Sequence, residues 1–417
     1  MLKPPVRLGR KPRLKTLMAV GAATVAFGGL AVAQAGPAAA DPAASYVAVG
    51  SDTVQDVYNQ FSLDKGGNFL GSYNAVNPVN QTAHEIITPN VEGASAASPT
   101  NQCSFTRPNG STEGLSALRK SINPSTTATQ LTAPPQPNCI AIDRSSSGPG
   151  TNQSNTGALV YIPFALDALA GSVGPATGGV VGGVTTVPTA ITQANLFTLT
   201  DLKNLYASCL AITEGGVTYS PNTPVPPGDV GINLYVPQSG SGTRNFWAST
   251  LGFSNTTLPS CVHDTIVAGA DTGTAVEEHD GTAVATDANG FGPFSIAQFI
   301  SQRNGHNDRR HGVVLQNLNG VFPCSNNTNC STAGSLNTAF PITREVYSVV
   351  LFSSVSPGGS TFDPNLVGLL VGAGSSVCQD QLTIINYGFA LLGSGTTDLC
   401  GSIANSLRAF DPTTNPI

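Results

Sequence analysis

The chain has 417 residues, of which 40% are hydrophobic and only 10% charged, with 46 glycines, 30 prolines and a formal net charge of −6. That length gives room for two ordinary domains and a real hydrophobic core. The charged fraction is well below the usual value of about a quarter, and the acidic excess argues against a nucleic-acid partner.

Residues 1–40 carry Lys3, Arg7, Arg10, Lys11, Arg13 and Lys15 ahead of an apolar run at 17–33, then Ala38-Ala39-Ala40. This is the pattern of a secretory signal with a small-residue cleavage site. A retained anchor is the alternative, disfavoured because Ala and Gly dominate the apolar run. No cysteine precedes Cys103, so no lipobox thiol is present near the cut. The expectation is a soluble, secreted, extracellular protein. Its 18 Lys and Arg, less these six, leave 12 against 24 Asp and Glu, a formal charge of −12. Any anion site must then work by local donors and not by long-range attraction.

Eight cysteines in an exported chain predict four disulfides, with about 105 connectivities open. Sequential pairing is expected: Cys103–Cys139, Cys209–Cys261, Cys324–Cys330 and Cys378–Cys400. No C-x-x-C occurs and histidine does not cluster with cysteine, so neither zinc nor another metal is expected, and no cofactor.

The first element is Tyr46-Val47-Ala48-Val49, a strand, followed by Gly50-Ser51-Asp52-Thr53 and an amphipathic helix to Phe61, with Ser51 or Asp52 as N-cap. Asn109-Gly110-Ser111-Thr112 repeats the theme, a Gly/Ser turn entering a helix over 116–121. Cys139-Ile140-Ala141-Ile142 is a short strand that ends in the hydroxyl-rich turn Asp143-Arg144-Ser145-Ser146-Ser147-Gly148-Pro149. Leu159 to Ala165 reads as an apolar strand bent at Pro163, with a helix over 167–170 after it. A short helix capped by Thr200 or Asp201 follows over 199–206. Glu277-Glu278-His279-Asp280 is the densest titratable cluster, and ordinary exposure of charged residues makes it a solvated loop. A helix is expected over 295–301, a β-branched strand over 345–352, and helices over 365–371 and 379–392. Short strands alternating with helices give an α/β fold.

The most informative stretch is Ser239-Gly240-Ser241-Gly242-Thr243-Arg244. It follows a strand over 232–236 ended by Pro237 and precedes a helix. Glycines there let the backbone approach closely, N–H groups at the helix start point outward, hydroxyls add donors, and Arg244 adds a cation. The plain alternative is a Ser/Gly turn with Thr243 as an N-cap. P-loop, H-E-x-x-H and G-x-S-x-G patterns are all absent, so an enzyme is not expected.

Taken in order, these turns resemble the phosphate-binding proteins of ABC transporters, a branch of the type II periplasmic binding proteins, over roughly 46–400. Gly50-Ser51-Asp52-Thr53, Asn109-Gly110-Ser111 and Arg144-Ser145-Ser146-Ser147-Gly148-Pro149 match the family's three glycine-rich turns. Ser239-Gly240-Ser241-Gly242-Thr243 matches its S-G-T helix start. Tyr161-Ile162-Pro163-Phe164 and Phe340-Pro341-Ile342-Thr343 resemble the two hinge crossings, and Phe291-Gly292-Pro293-Phe294-Ser295 a further element of the second lobe. The resemblance implies a two-lobe α/β fold with two hinge crossings, lobe one from residues 41–162 and 342–417 and lobe two from 163–341. It implies a monomeric, non-catalytic receptor that captures phosphate or a similar oxyanion and delivers it to an ABC transporter permease. The implied ligand-binding residues are Ser51, Asp52, Thr53, Ser111, Arg144, Ser145, Ser146, Ser147, Ser239, Ser241, Gly242, Thr243 and Arg244.

Two positions depart from the family pattern. Pro237 stands where the family has an arginine, so Arg144 or Arg244 must supply the cation, and Arg144 is the expected one. Ser147 stands where the family has a proton-accepting carboxylate, and Asp52 is the expected replacement. Two other functions compete: a secreted surface or matrix protein that keeps the fold without the ligand, and a secreted phosphoester hydrolase.

Overall fold

The computed structural model describes residues 44–413 and 417, apart from 68, 78–81, 88–102, 128–130, 270–271 and 394–395. The signal-like segment lies outside the described residues. In chain order the main sheet contains β1 (Tyr46–Gly50), β2 (Leu70–Ser72), β3 (Ile142–Ser145), β4 (Leu159–Val173), β5 (Asn233–Tyr235), β6 (Val262–His263), β7 (Gly290–Ser295), β8 (Val314–Leu315), β9 (Thr343–Leu351) and β10 (Arg408–Ala409). Across the sheet the order is β6-β5-β7-β4-β9-β3-β1-β2, with β8 and β10 also pairing β4.

The sheet is two parallel trios joined by an antiparallel pair. In one trio β1 runs parallel to both β2 and β3, and in the other β5 runs parallel to both β6 and β7. Parallel neighbours require crossovers. Helices supply them: α1 (Gln55–Asp64) and α2 (Ser111–Ile122) serve the first trio, and α3 (Leu199–Ser208) and α4 (Gly242–Leu251) lie beside the second. The architecture is therefore α/β, as the alternation of elements indicates.

β4 is the spine. Its residues from Leu159 to Ala168 pair with β9, and those from Leu169 to Val173 pair with β7. All 15 of its residues are buried, which explains why its sequence is apolar apart from Asp167 and Ser172 and does not alternate. The helix expected over 167–170 is therefore strand. Pro163 does not end it, because the ladder shifts register between Val346 and Tyr347, leaving Phe164 as an extra residue. Proline is tolerated at such a bulge, where a ladder bond is already missing.

Each half has its own aromatic core. Tyr58, Phe61 and Phe164 meet edge to face in one, and Phe197, Tyr206, Trp247 and Phe291 pack together in the other. All seven are fully buried, each ring contributing about 1.5–3 kcal/mol by leaving water. α3 is capped by Thr198, not by Thr200 or Asp201, because Thr198 and Asp201 form a reciprocal capping box. The four disulfides are Cys103–Cys139, Cys209–Cys261, Cys324–Cys330 and Cys378–Cys400, the sequential set. Among the described residues no helix is long and apolar enough to cross a membrane.

Candidate functional site

Because β1 and β3 are parallel neighbours paired at Gly50 and Arg144, their carboxyl-end turns lie side by side. That end of an open α/β sheet is where ligands bind. Ser51 Oγ donates to Ser146 Oγ at 3.0 Å, and Ser146 N–H donates to Ser111 Oγ at 3.0 Å. The S-G-T turn packs onto this trio. Thr112 N–H donates to the Gly240 carbonyl at 3.1 Å. A Cβ built on Gly242 would lie 2.3 Å from Ser146 Oγ and 2.4 Å from Ser111 Oγ, so only glycine permits this approach. Four turns separated by nearly 200 residues of chain thus meet at one place.

At their meeting point sits a desolvated polar cluster. The hydroxyls of Thr53 and Thr243 donate to the same carboxylate oxygen, Glu278 Oε1, at 2.7 and 2.6 Å. His279 Nε2 lies 2.7 Å from Thr53 Oγ1. Its Nδ1 faces the Ser295 backbone N–H at 3.4 Å, which leaves Nε2 as the donor. Arg344 Nη2 donates to Thr243 Oγ1 at 2.8 Å and to Thr53 Oγ1 at 3.3 Å. The same guanidinium is anchored on Asp167 Oδ2 through Nε at 3.1 Å and Nη2 at 2.9 Å. Asp167 Oδ1 in turn accepts from Ser295 Oγ at 2.8 Å and Ala297 N–H at 3.1 Å. Thr53, Thr243, Glu278, His279, Asp167 and Arg344 are each no more than 4% exposed.

Burial alone would raise the Glu278 carboxyl. The His279 hydrogen bond, the Arg344 charge and the Thr243 hydroxyl outweigh it and hold Glu278 well below the usual carboxylate range. The cluster is nevertheless incompletely matched: Glu278 Oε2, Arg344 Nη1 and Gln298 Oε1 are buried with no hydrogen-bond partner. Such atoms are costly.

The structure places the predicted residues in three groups. Ser51, Thr53, Ser111, Ser146, Gly242 and Thr243 converge as described. Ser241 is fully buried and N-caps α4, accepting from Arg244 N–H at 3.0 Å. Ser145 Oγ donates to the Ser147 carbonyl at 2.8 Å, Ser147 lines the neighbouring cavities, and Ser239 is exposed. The arginines and Asp52 go elsewhere. Arg144, fully buried, donates to Ser72 Oγ and the Tyr73 carbonyl at 2.6 Å each, and burial lowers its pKa to about 10. Arg244 turns back along α4 to the Asn255 carbonyl at 2.9 Å and Asp264 at 2.8 Å. Asp52 pairs with Arg309 at 3.1 Å, and burial, offset by Arg309 and His279, raises its pKa.

Arg344, Asp167, Glu278, His279 and Arg309 were not singled out as site residues from the sequence. Arg344 and Asp167 did carry a signal: Asp167 is the one charged residue in a 15-residue buried strand, and such a charge needs a partner. The Glu277–Asp280 segment, expected to be solvated, instead buries Glu278 and His279 to 1% and 3% exposure. Among the described residues no group of three or more His, Cys, Asp or Glu is arranged to hold a metal.

Two open cavities adjoin the cluster. One of about 590 Å³ is lined by Arg344, Thr343, Tyr347 and Glu345. The other, about 540 Å³, is lined by Ser111, Thr112, Asn245 and Asn255. Ser147, Gly148 and Phe246 border both.

No family model and no curated protein matches the chain. Several solved structures are similar. One, from Clostridium perfringens and described as a phosphate ABC transporter substrate-binding protein with bound phosphate, is 13% identical, with 84% of this chain and 99% of that one covered and a TM-score of 0.44. An ABC-type phosphate transport receptor from Vibrio cholerae is 14% identical over 83% and 100% of the two chains, with a TM-score of 0.42. PstS from Borrelia burgdorferi is 14% identical over 84% and 99%, with a TM-score of 0.37.

Proposed function

We propose that this chain is an extracellular solute-binding protein that captures an inorganic oxyanion, phosphate first, between two lobes for ABC-type uptake. The observation that carries the reading is the anion cradle itself. Two hydroxyls from separate turns are directed at one desolvated carboxylate, and a buried guanidinium from a third segment donates to both hydroxyls. A dehydrated oxyanion needs this kind of setting: neutral donors plus about one cation, all removed from water. Arg344 takes the cationic role in this reading, held in place by Asp167. The lobes are residues 41–162 with 342–417, and 163–341. They are connected through β4 and the start of β9, so capture closes them about these strands. A monomer, an export signal over residues 1–40 and an ABC permease as partner complete the proposal.

No catalytic role is assigned. The acceptor of the Thr53 proton is Glu278 Oε1, a carboxylate held well below the usual range and therefore a poor general base for a nucleophile. The competing reading, a secreted surface protein without a ligand, draws on one observation: a carboxylate of the chain already occupies the cradle. Isothermal titration of the folded protein with phosphate, sulfate and arsenate separates the two. Heat and saturation with phosphate support capture, and flat traces with all three anions refute it.

A further inference from the structure

We propose that Glu278 is an internal ligand of this cradle: its carboxylate stands where an external oxyanion binds, and the incoming oxyanion displaces it. The inference rests on the oxyanion reading above and adds what controls access to that site.

Three observations support it. The donors converge on a single atom. Thr53 and Thr243 both give their hydroxyl protons to Glu278 Oε1 while accepting from Arg344 Nη2, so each hydroxyl is oriented to present hydrogen to an anion. Second, the fit is partial. Glu278 Oε2 and Arg344 Nη1 are buried without partners. Oε2 is an acceptor with no donor in reach of it, and Nη1 is the donor the carboxylate leaves idle; a tetrahedral oxyanion, with oxygens in more directions, can answer it.

Third, the segment that inserts Glu278 is irregular and carries backbone strain that expulsion would release. Residues 277–281 have no helix or strand assignment, and His279 holds φ at +57°. That left-handed conformation is uncommon for a residue with a Cβ, and persists where surrounding contacts impose it. Besides the His279 ring contacts with Thr53 and the Ser295 N–H, hydrogen bonds along the segment hold it in place. Gln302 Nε2 donates to the His279 carbonyl at 2.9 Å, Gly281 N–H donates to the Arg309 carbonyl at 2.8 Å, and Asn109 Nδ2 reaches Glu277 Oε2 at 3.2 Å. Two anions cannot share one desolvated cradle, because the second would be left without compensation. An oxyanion that enters therefore expels Glu278, and its apparent affinity is reduced by the fraction of molecules in which Glu278 is out.

The test compares wild type, Glu278→Gln and Glu278→Ala by titration with inorganic phosphate and with sulfate, each sample shown folded by its thermal transition. If Glu278 is out about 1–10% of the time, removing it raises affinity about 10–100-fold, with Ala gaining more than Gln because Gln still offers an acceptor to Thr53 and Thr243. Wild-type binding with equal or weaker binding in both folded variants overturns the inference while leaving the oxyanion reading intact. No binding by any of the three overturns both. Should the variants not fold, hydrogen exchange on the wild type decides: saturating phosphate is expected to speed exchange across residues 276–281. Unchanged or slower exchange there, with phosphate bound, overturns the proposal.

Discussion

The Arg344–Asp167 pair is a desolvated ion pair, with side chains no more than 1% exposed, and removing its cation gives a quantitative test. Arg344→Met keeps much of the side-chain volume but deletes both bonds to Asp167 and those to Thr243 and Thr53. Asp167, fully buried, then holds a charge supported only by Ser295 Oγ and Ala297 N–H. Breaking a buried pair on one side costs about 3–5 kcal/mol, and the upper end is expected here because Glu278 loses the same cation. Asp167→Asn keeps an oxygen for Ser295 and Ala297 while removing the charge, so its cost should be smaller, about 1–3 kcal/mol. In the double variant no carboxylate is stranded at position 167, and the two costs should fall short of adding by about 1–3 kcal/mol. Urea unfolding of the four proteins measures each term from the midpoint and slope. Costs that add within about 0.5 kcal/mol, or an Arg344→Met cost below about 1 kcal/mol, would refute the claim that the pair is a coupled, desolvated unit.

Three further outcomes are expected. The folded Glu278 carboxyl is held below its ordinary value of 4.5, with burial outweighed by His279, Arg344 and Thr243. Its contribution to stability is thus present above that pH and lost as pH falls below it; urea midpoints from pH 5 to 3 should drop less steeply in Glu278→Gln than in wild type. Asp56 behaves oppositely: burial raises its pKa from 3.8 to about 6. The folded state therefore loses stability as pH rises across that window, on the order of 3 kcal/mol, and Asp56→Asn should flatten the slope there. Gly242→Ala drives a Cβ onto Ser146 and Ser111; a cost of about 1–3 kcal/mol is expected, with thermal unfolding as the readout, and Ser146→Gly should recover part of it.

The turns were legible because their signal is local. A strand, then Gly with Ser or Thr, then a helix start specifies hydroxyls and close backbone approach wherever the turn lands. The partners of the arginines were not legible, because they depend on segments far along the chain. Arg144 lies in a central strand, where the nearest acceptors are Ser72 and the Tyr73 carbonyl, whereas Arg344 reaches Thr53 and Thr243 from 291 and 101 residues away. Glu278 was read as solvated because charged side chains usually are; two hydroxyls and a guanidinium from other segments reverse that. The end of β4 was misread because Asp167 looks like a helix cap, whereas an ion pair to Arg344 accounts for it; the irregularity read at Pro163 is there, as a bulge.

The sequential disulfides carry a consequence for how the chain matures. Each bridge joins cysteines 6 to 52 positions apart, and each pairs a cysteine with the next one along. In a chain that emerges amino end first, every thiol finds its native partner as the nearest one still unoxidised. Oxidation in order of emergence then produces the native set without passing through mispaired bridges, and the need for isomerase correction is small.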